Sequence, residues 1–143
     1  MRKRRERQEA IRRIVRGERI RTQRALVEQL REQGFVCTQA TVSRDITEMG
    51  LKKLPEGVYV LAEDLHLQRM ISDLVQGVKR SRNLVLIKAA AGTAPGVAAA
   101  LDAADLDDIL GSVAGDDTIL VITTTDESGA RLVDTVDKFR GVR

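Results

Sequence analysis

Residues 38–50 constrain this chain more than any other stretch. Thr38 can cap a helix, its hydroxyl accepting from the orphan N–H groups of the first turn, and Gly50 suits the left-handed position that ends one. Between them Val42, Ile46 and Met49 recur at the spacing of one helical face, so that side packs inward. At about 100° per residue, Ala40, Ser43, Arg44 and Thr47 gather on the opposite side, with Gln39 at its flank. An ordinary solvated helix more often carries Glu/Lys pairs there. Small residues, hydroxyls and one Arg suit the major groove of DNA, and the segment reads as the recognition helix of a helix-turn-helix.

The flanking sequence builds the rest of such a unit. Residues 3–16 predict a helix with Ala10, Ile11, Ile14 and Val15 as its apolar stripe and Gly17 as its stop. Residues 22–33 predict a second, with Thr22 as N-cap, Leu26 and Leu30 inward, and Gly34 as stop. After the recognition helix, residues 51–54 and 58–61 read as two short strands. Pro55 and Gly57 between them stand where a type I turn favours them. Three helices and a hairpin make a winged helix-turn-helix, with Lys52 and Lys53 on or near the wing. Arg44 can reach guanine or a phosphate, Gln39 can pair with adenine, and Thr41 and Ser43 can bond base or phosphate. Arg2, Lys3, Arg4, Arg5 and Arg7 read either as a flexible arm for phosphates or as a solvated tail.

Charge divides the chain in the same place. Residues 1–62 hold 15 Lys and Arg against 8 Asp and Glu, a net +7, and residues 63–143 hold 9 against 13, a net −4. A basic half joined to an acidic one points to a polyanion-binding module attached to something else. The expected division is residues 1–63 as a DNA-binding domain, 64–69 as linker and 70–143 as a second domain. With no Trp, one Tyr and two Phe, both cores rest on small aliphatic residues, and such small domains often rely on oligomerisation. The single cysteine, Cys37, excludes an intramolecular disulfide and fits a reducing cytoplasm. No apolar run approaches the roughly 18 residues of a membrane span, and the basic N-terminus lacks a signal-like apolar segment, so a cytoplasmic protein is expected.

In the second half, residues 62–69 read either as a hinge or as the start of a helix that is predicted to run to about Val78. Residues 84–90 form a nearly continuous apolar run, expected as a strand buried on both faces. Pro95 stands near the start of a helix reaching about Ala103, then come strands over residues 109–114 and 118–124, and a helix over 130–139. That order implies a small α+β domain with a mainly antiparallel sheet. Its chemical feature is Gly115-Asp116-Asp117-Thr118, where adjacent carboxylates repel unless solvated or bound to a cation. A metal, a basic side chain or a cationic small molecule would each serve, and so would a plain polar turn. No Ser/His/Asp or Cys/His constellation is present, and Gly92-Thr93-Ala94-Pro95-Gly96 lacks the Lys and spacing of a nucleotide loop, so no enzyme is expected.

Residues 38–46, Gly92-Thr93-Ala94 with Leu101-Asp102, and the run from Gly111 to Leu120 together resemble the bacterial arginine repressor family over essentially the whole chain. The resemblance implies an arginine-responsive regulator that represses arginine biosynthesis genes from palindromic operators. The same fold would also serve an architectural or recombination accessory DNA-binding protein. It implies that Ser43 and Arg44 contact DNA and that Asp116 and Asp117 bind L-arginine as corepressor, without a metal. Asp102, Ser112 and Ala114 match further positions of that site. It implies C-terminal domains assembled as trimers, stacked into a hexamer with arginine between them. One departure stands out: Pro95 replaces a Gln that many members carry, and with it a side-chain amide.

Overall fold

A computed structural model describes residues 2–142, apart from the Arg2 side chain, and divides the chain into two compact units, residues 1–62 and 63–143. The first unit contains α1 (Arg2–Gly17), α2 (Gln23–Glu32), α3 (Gln39–Met49) and a hairpin of β1 (Lys52–Lys53) with β2 (Tyr59–Val60). Its core joins Ala10, Ile11, Ile14 and Val15 of α1, Leu26, Val27 and Leu30 of α2, and Val42 and Ile46 of α3. Leu51 and Leu61 close it beneath the wing. The wing strands are shorter than the sequence suggests. Gly57 takes the left-handed φ of +93° that its turn demands, and its N–H reaches Leu54 O at 2.8 Å.

The expectation of a flexible basic N-terminal arm is corrected. The run is helical from Arg2 onward and belongs to α1. Arg4 is bound to Glu48 and Arg7 to Asp45, both acceptors on α3, so the helix is held in register rather than left loose. The Arg2 side chain lies outside the described residues.

The second unit comprises α4 (Leu65–Leu74), β3 (Val75–Ser81), β4 (Leu84–Ala89), α5 (Ala94–Ala104), β5 (Ile109–Ala114), β6 (Thr118–Thr123) and α6 (Asp126–Arg140). The four strands form an antiparallel sheet in the order β3-β4-β6-β5. Of the two readings of residues 62–69, the start of a helix is the one observed: α4 begins at Leu65, so the expected linker at 64–69 is mostly helix, with Leu67 and Gln68 buried and Gln68 Nε2 donating to Phe139 O at 3.4 Å. The helix expected to run to Val78 stops at Leu74, and β3 takes over. Leu67, Ile71, Leu74, Val75 and Val78 keep helical spacing across the junction, which hides the strand. β3 is an edge strand, bulged between Val75 and Gly77 and carrying Lys79 and Arg80, as edges that resist further pairing often do. α6 begins at Asp126, earlier than expected. A reciprocal cap starts it, Ser128 N donating to Thr125 Oγ1 at 3.0 Å and Thr125 N to Ser128 Oγ at 2.9 Å.

All three helices cover one face of this sheet, over Val85, Ile87 and Ala89 of β4 and Ile119 and Val121 of β6. The other face is open in the single chain. β4 is therefore not buried on both sides: Leu84 and Leu86 are 41% and 44% exposed. Pairing aligns Leu86 with Leu120 and Leu120 with Val113, so an apolar row crosses the open face, ending at a Val113 that is 68% exposed.

Candidate functional site

The first candidate surface is α3 and the wing. Thr38 Oγ1 accepts from Thr41 N at 3.3 Å and lies 3.0 Å from Thr41 Oγ1, so the hydroxyl pair sits at the N-terminal end of the helix. Gly50 closes the other end at φ +68°. Val42 and Ile46 face the core and Met49 is half-buried against it. Gln39, Ala40, Arg44 and Thr47 are exposed, while Thr41 and Ser43 are half-buried. Among the described residues no ion pair engages Arg44, which leaves its guanidinium to solvent. Lys52 and Lys53 are exposed on β1, with Lys53 Nζ 5.2 Å from the Tyr59 ring centre. Tyr59 N bonds Ile20 O at 2.8 Å and Arg21 Nη1 bonds Glu56 O at 2.9 Å, so the wing is tied to the segment before α2.

Asp45 is the residue that sequence reasoning missed. It lies on α3 beside Arg44 but is 1% exposed. Arg7 grips its carboxylate from Nε and Nη2 at 2.5 and 3.0 Å, and Gln8 Nε2 adds a bond at 3.0 Å. The signal was present: Val42, Asp45, Ile46 and Met49 complete the i, i+3, i+4, i+7 stripe.

The second candidate surface is the turn between β5 and β6. Its backbone is built into the sheet: Gly115 N donates to Thr118 O at 2.8 Å, Ala89 N to Asp117 O at 2.7 Å, and Ala94 N to Asp116 O at 3.1 Å. The two carboxylates diverge. Asp116 Oδ2 accepts from Gly92 N at 3.2 Å, which shapes the loop ahead of α5. Asp117 Oδ2 takes the Lys88 ammonium at 2.6 Å, and its Oδ1 accepts from Thr118 Oγ1 at 2.9 Å. The Lys88 bond, then the Thr118 bond, holds the Asp117 carboxyl below its ordinary range. This turn already accepts a cation.

Ser112 and Ala114 pair with Val121 and Ile119, which places them on the helix-covered side of β5, beside α5. Asp102 is exposed on α5, eight positions beyond the Ala94 that touches the turn. At about 1.5 Å of rise per residue that is roughly 12 Å along the helix. The single chain thus brings Lys88 to Asp117 beside Asp116 at the turn, with Ala114 just ahead of it on the other side of the sheet and Asp102 further along α5. Pro95 occupies the first turn of α5, where its missing N–H costs nothing. No cluster of three or more metal-ligating side chains occurs among the described residues. No helix among them is long and apolar enough to cross a membrane.

A winged helix-turn-helix with an Arg-bearing recognition helix, carried in one chain with an α+β unit, defines a two-unit DNA-binding regulator. The family described as arginine repressor, DNA binding domain, matches residues 2–67, and arginine repressor, C-terminal domain, matches residues 71–138. The chain belongs to the arginine repressor family, whose members are DNA-binding regulators and not enzymes. It is 47% identical over 148 residues to an arginine repressor of Thermus thermophilus, spanning 96% of this chain and 88% of that one. It is 42% identical over 144 residues to the arginine repressor of Carboxydothermus hydrogenoformans, spanning 93% and 96%. With that of Thermotoga petrophila it shares 37% over 139 residues, spanning 90% and 91%.

Proposed function

We infer that the chain is an arginine-responsive DNA-binding repressor, with residues 1–63 reading the operator and residues 70–143 sensing L-arginine and assembling subunits. On DNA, Gln39, Thr41, Ser43 and Arg44 meet base edges and phosphates while Lys52 and Lys53 bring the wing to the backbone. The sensing half rests on one observation: Asp117 binds a basic side chain at 2.6 Å beside a second carboxylate. L-arginine offers a planar five-donor guanidinium and an α-ammonium, a better match to paired carboxylates than the ammonium of Lys88.

Asp102, Ser112, Ala114, Asp116 and Asp117 line the arginine site, with Asp102 facing a turn contributed by another copy. Its distance along α5 from its own turn supports that division. The open apolar sheet face around Leu86, Leu120 and Val113 packs against a neighbouring chain. Trimers form in this way, and two trimers enclose arginine in a hexamer. Ligand bound at a seam stabilises the assembly, because it adds contacts only when both sides are present. The hexamer then engages paired half-sites, multiplying weak single contacts. It acts in the cytoplasm, on operators of arginine biosynthesis genes, and needs no metal.

The test is DNA binding and sedimentation of the full chain, using its own arginine biosynthetic promoter DNA, with L-arginine, L-lysine or L-citrulline added. Arginine alone should tighten DNA binding and shift the chain to the larger assembly. Equal responses to all three would remove the sensing part. Binding unaffected by rising salt would remove the DNA part, since neutralised phosphates release counterions.

A further inference from the structure

Val36, in the turn between α2 and α3, is completely exposed at 104%. It is not in slack chain. Gly34 holds a left-handed φ of +91°, and Phe35 N returns to Leu30 O at 3.0 Å, so α2 ends in a closed six-to-one turn. Phe35 packs against the core and Cys37 is buried. Arg31 Nη2 donates to Cys37 O at 3.3 Å on the far side of Val36. A stiff β-branched side chain is therefore fixed in water with nothing to cover it.

Its surroundings say what covers it. Val36 lines one cleft with Arg31, Phe35, Thr38 and Thr41. Thr38 caps the recognition helix and Thr41 lies in its first turn. Helices of this motif meet base edges through their N-terminal residues, which carries the cleft to the groove as well. The apolar group displayed there is the 5-methyl of thymine. A protein partner would need a broad apolar patch. Among the described residues, the other exposed large hydrophobics all lie at Leu84 or beyond, in the other unit. Arg31 is exposed and keeps donors beyond the one spent on Cys37, as a phosphate contact requires.

We propose that Val36 is a specificity-determining residue, seating a thymine methyl group in the major groove while Arg31 holds the adjacent phosphate. The proposal rests on the DNA-binding reading. Its test uses the full chain with L-arginine and a duplex selected by that chain from random-sequence DNA. Each thymine is replaced in turn by deoxyuridine, and binding is measured by fluorescence anisotropy for wild type and Val36→Ala.

At one thymine of each half-site, loss of the methyl should weaken wild-type binding about fourfold, the worth of one buried carbon. Val36→Ala should bind both versions of that duplex alike, with thermal stability unchanged. Arg31→Gln should weaken every duplex equally and lower the salt slope by about one. The proposal is overturned if Val36→Ala and wild type respond alike at every substituted position, or if Val36→Ala weakens all duplexes uniformly. Recovery of no duplex at all would overturn the DNA-binding reading and this proposal with it.

Discussion

Arg7 and Asp45, 38 positions apart, meet through two hydrogen bonds that lock the first helix to the recognition helix. The Asp45 side chain is 2% exposed and that of Arg7 16%, so the pair is largely shielded from water. Anchoring Asp45 inward fixes the rotation of α3 and turns the adjacent Arg44 outward. Asp45→Ala strands a shielded guanidinium and should cost about 2–3 kcal/mol. DNA affinity should fall with it, because Arg44 loses its fixed aim. Glu48→Ala, which removes the exposed pair with Arg4 and an exposed hydrogen bond from Gln8, should cost less, about 1 kcal/mol. Urea titration of both variants checks this; equal losses would show the Asp45 contact to be superficial.

The same pair sets a pH response. Burial by itself would raise the Asp45 carboxyl, but hydrogen bonds from Arg7 and Gln8, with the charge of Arg7, outweigh it and the net shift is downward. A carboxyl depressed in the folded state contributes stability that is complete above its unfolded value and is lost as pH falls through its folded one. Arg7 is raised by its bond to Asp45 and stays cationic throughout that range. The melting temperature of the N-terminal unit should therefore drop on acidification below the ordinary carboxylate range. In Asp45→Asn the unit starts lower and its acid slope should flatten. An unchanged slope would assign the acid response to other carboxylates.

At the second surface, Lys88 holds the carboxylate proposed to take arginine. Ligand must displace its ammonium from Asp117, so Lys88 acts as a built-in competitor. Lys88→Met should tighten arginine binding, by a few-fold at most because exposed ion pairs are weak. Asp117→Asn should abolish the arginine response while leaving the fold intact, since the Asp117 backbone carbonyl still anchors Ala89. Calorimetric titration with L-arginine reads both. Weaker binding by Lys88→Met would mean that the lysine helps to build the site.

The recognition helix was legible from sequence because its cap, its stripe and its terminal glycine are all local signals. The β5–β6 turn was legible for the same reason: Gly115, Asp116 and Asp117 interrupt two plain strands. Asp45 escaped because a carboxylate reads as solvated until its partner, far away in α1, is placed against it. β3 escaped because one helical spacing runs through Val75 and Val78, and only pairing with β4 reveals the strand. The site around Asp102 is a further case. Neighbours in sequence put Leu101 and Asp102 on one helix, but the proposed placement of that carboxylate against another copy's turn lies beyond what a single chain can display.

The apolar run of β4 carries a related lesson and the last prediction. Leu84, Val85, Leu86 and Ile87 read as a strand covered on both sides, yet only Val85 and Ile87 are covered within the chain. The proposed second cover is another copy, laid on the row formed by Leu86, Leu120 and Val113. Leu86→Glu places a charge in that seam and should dissociate the assembly, because an ionised carboxylate without a partner resists desolvation. Each buried Leu at such a contact contributes about 2 kcal/mol, so Leu86→Ala should weaken assembly without ending it. The fold of the single unit should survive both changes, as Leu86 is 44% exposed before any partner arrives. Sedimentation velocity with and without L-arginine separates the outcomes. A Leu86→Glu chain that still assembles as wild type would move the subunit contact to another face of the domain.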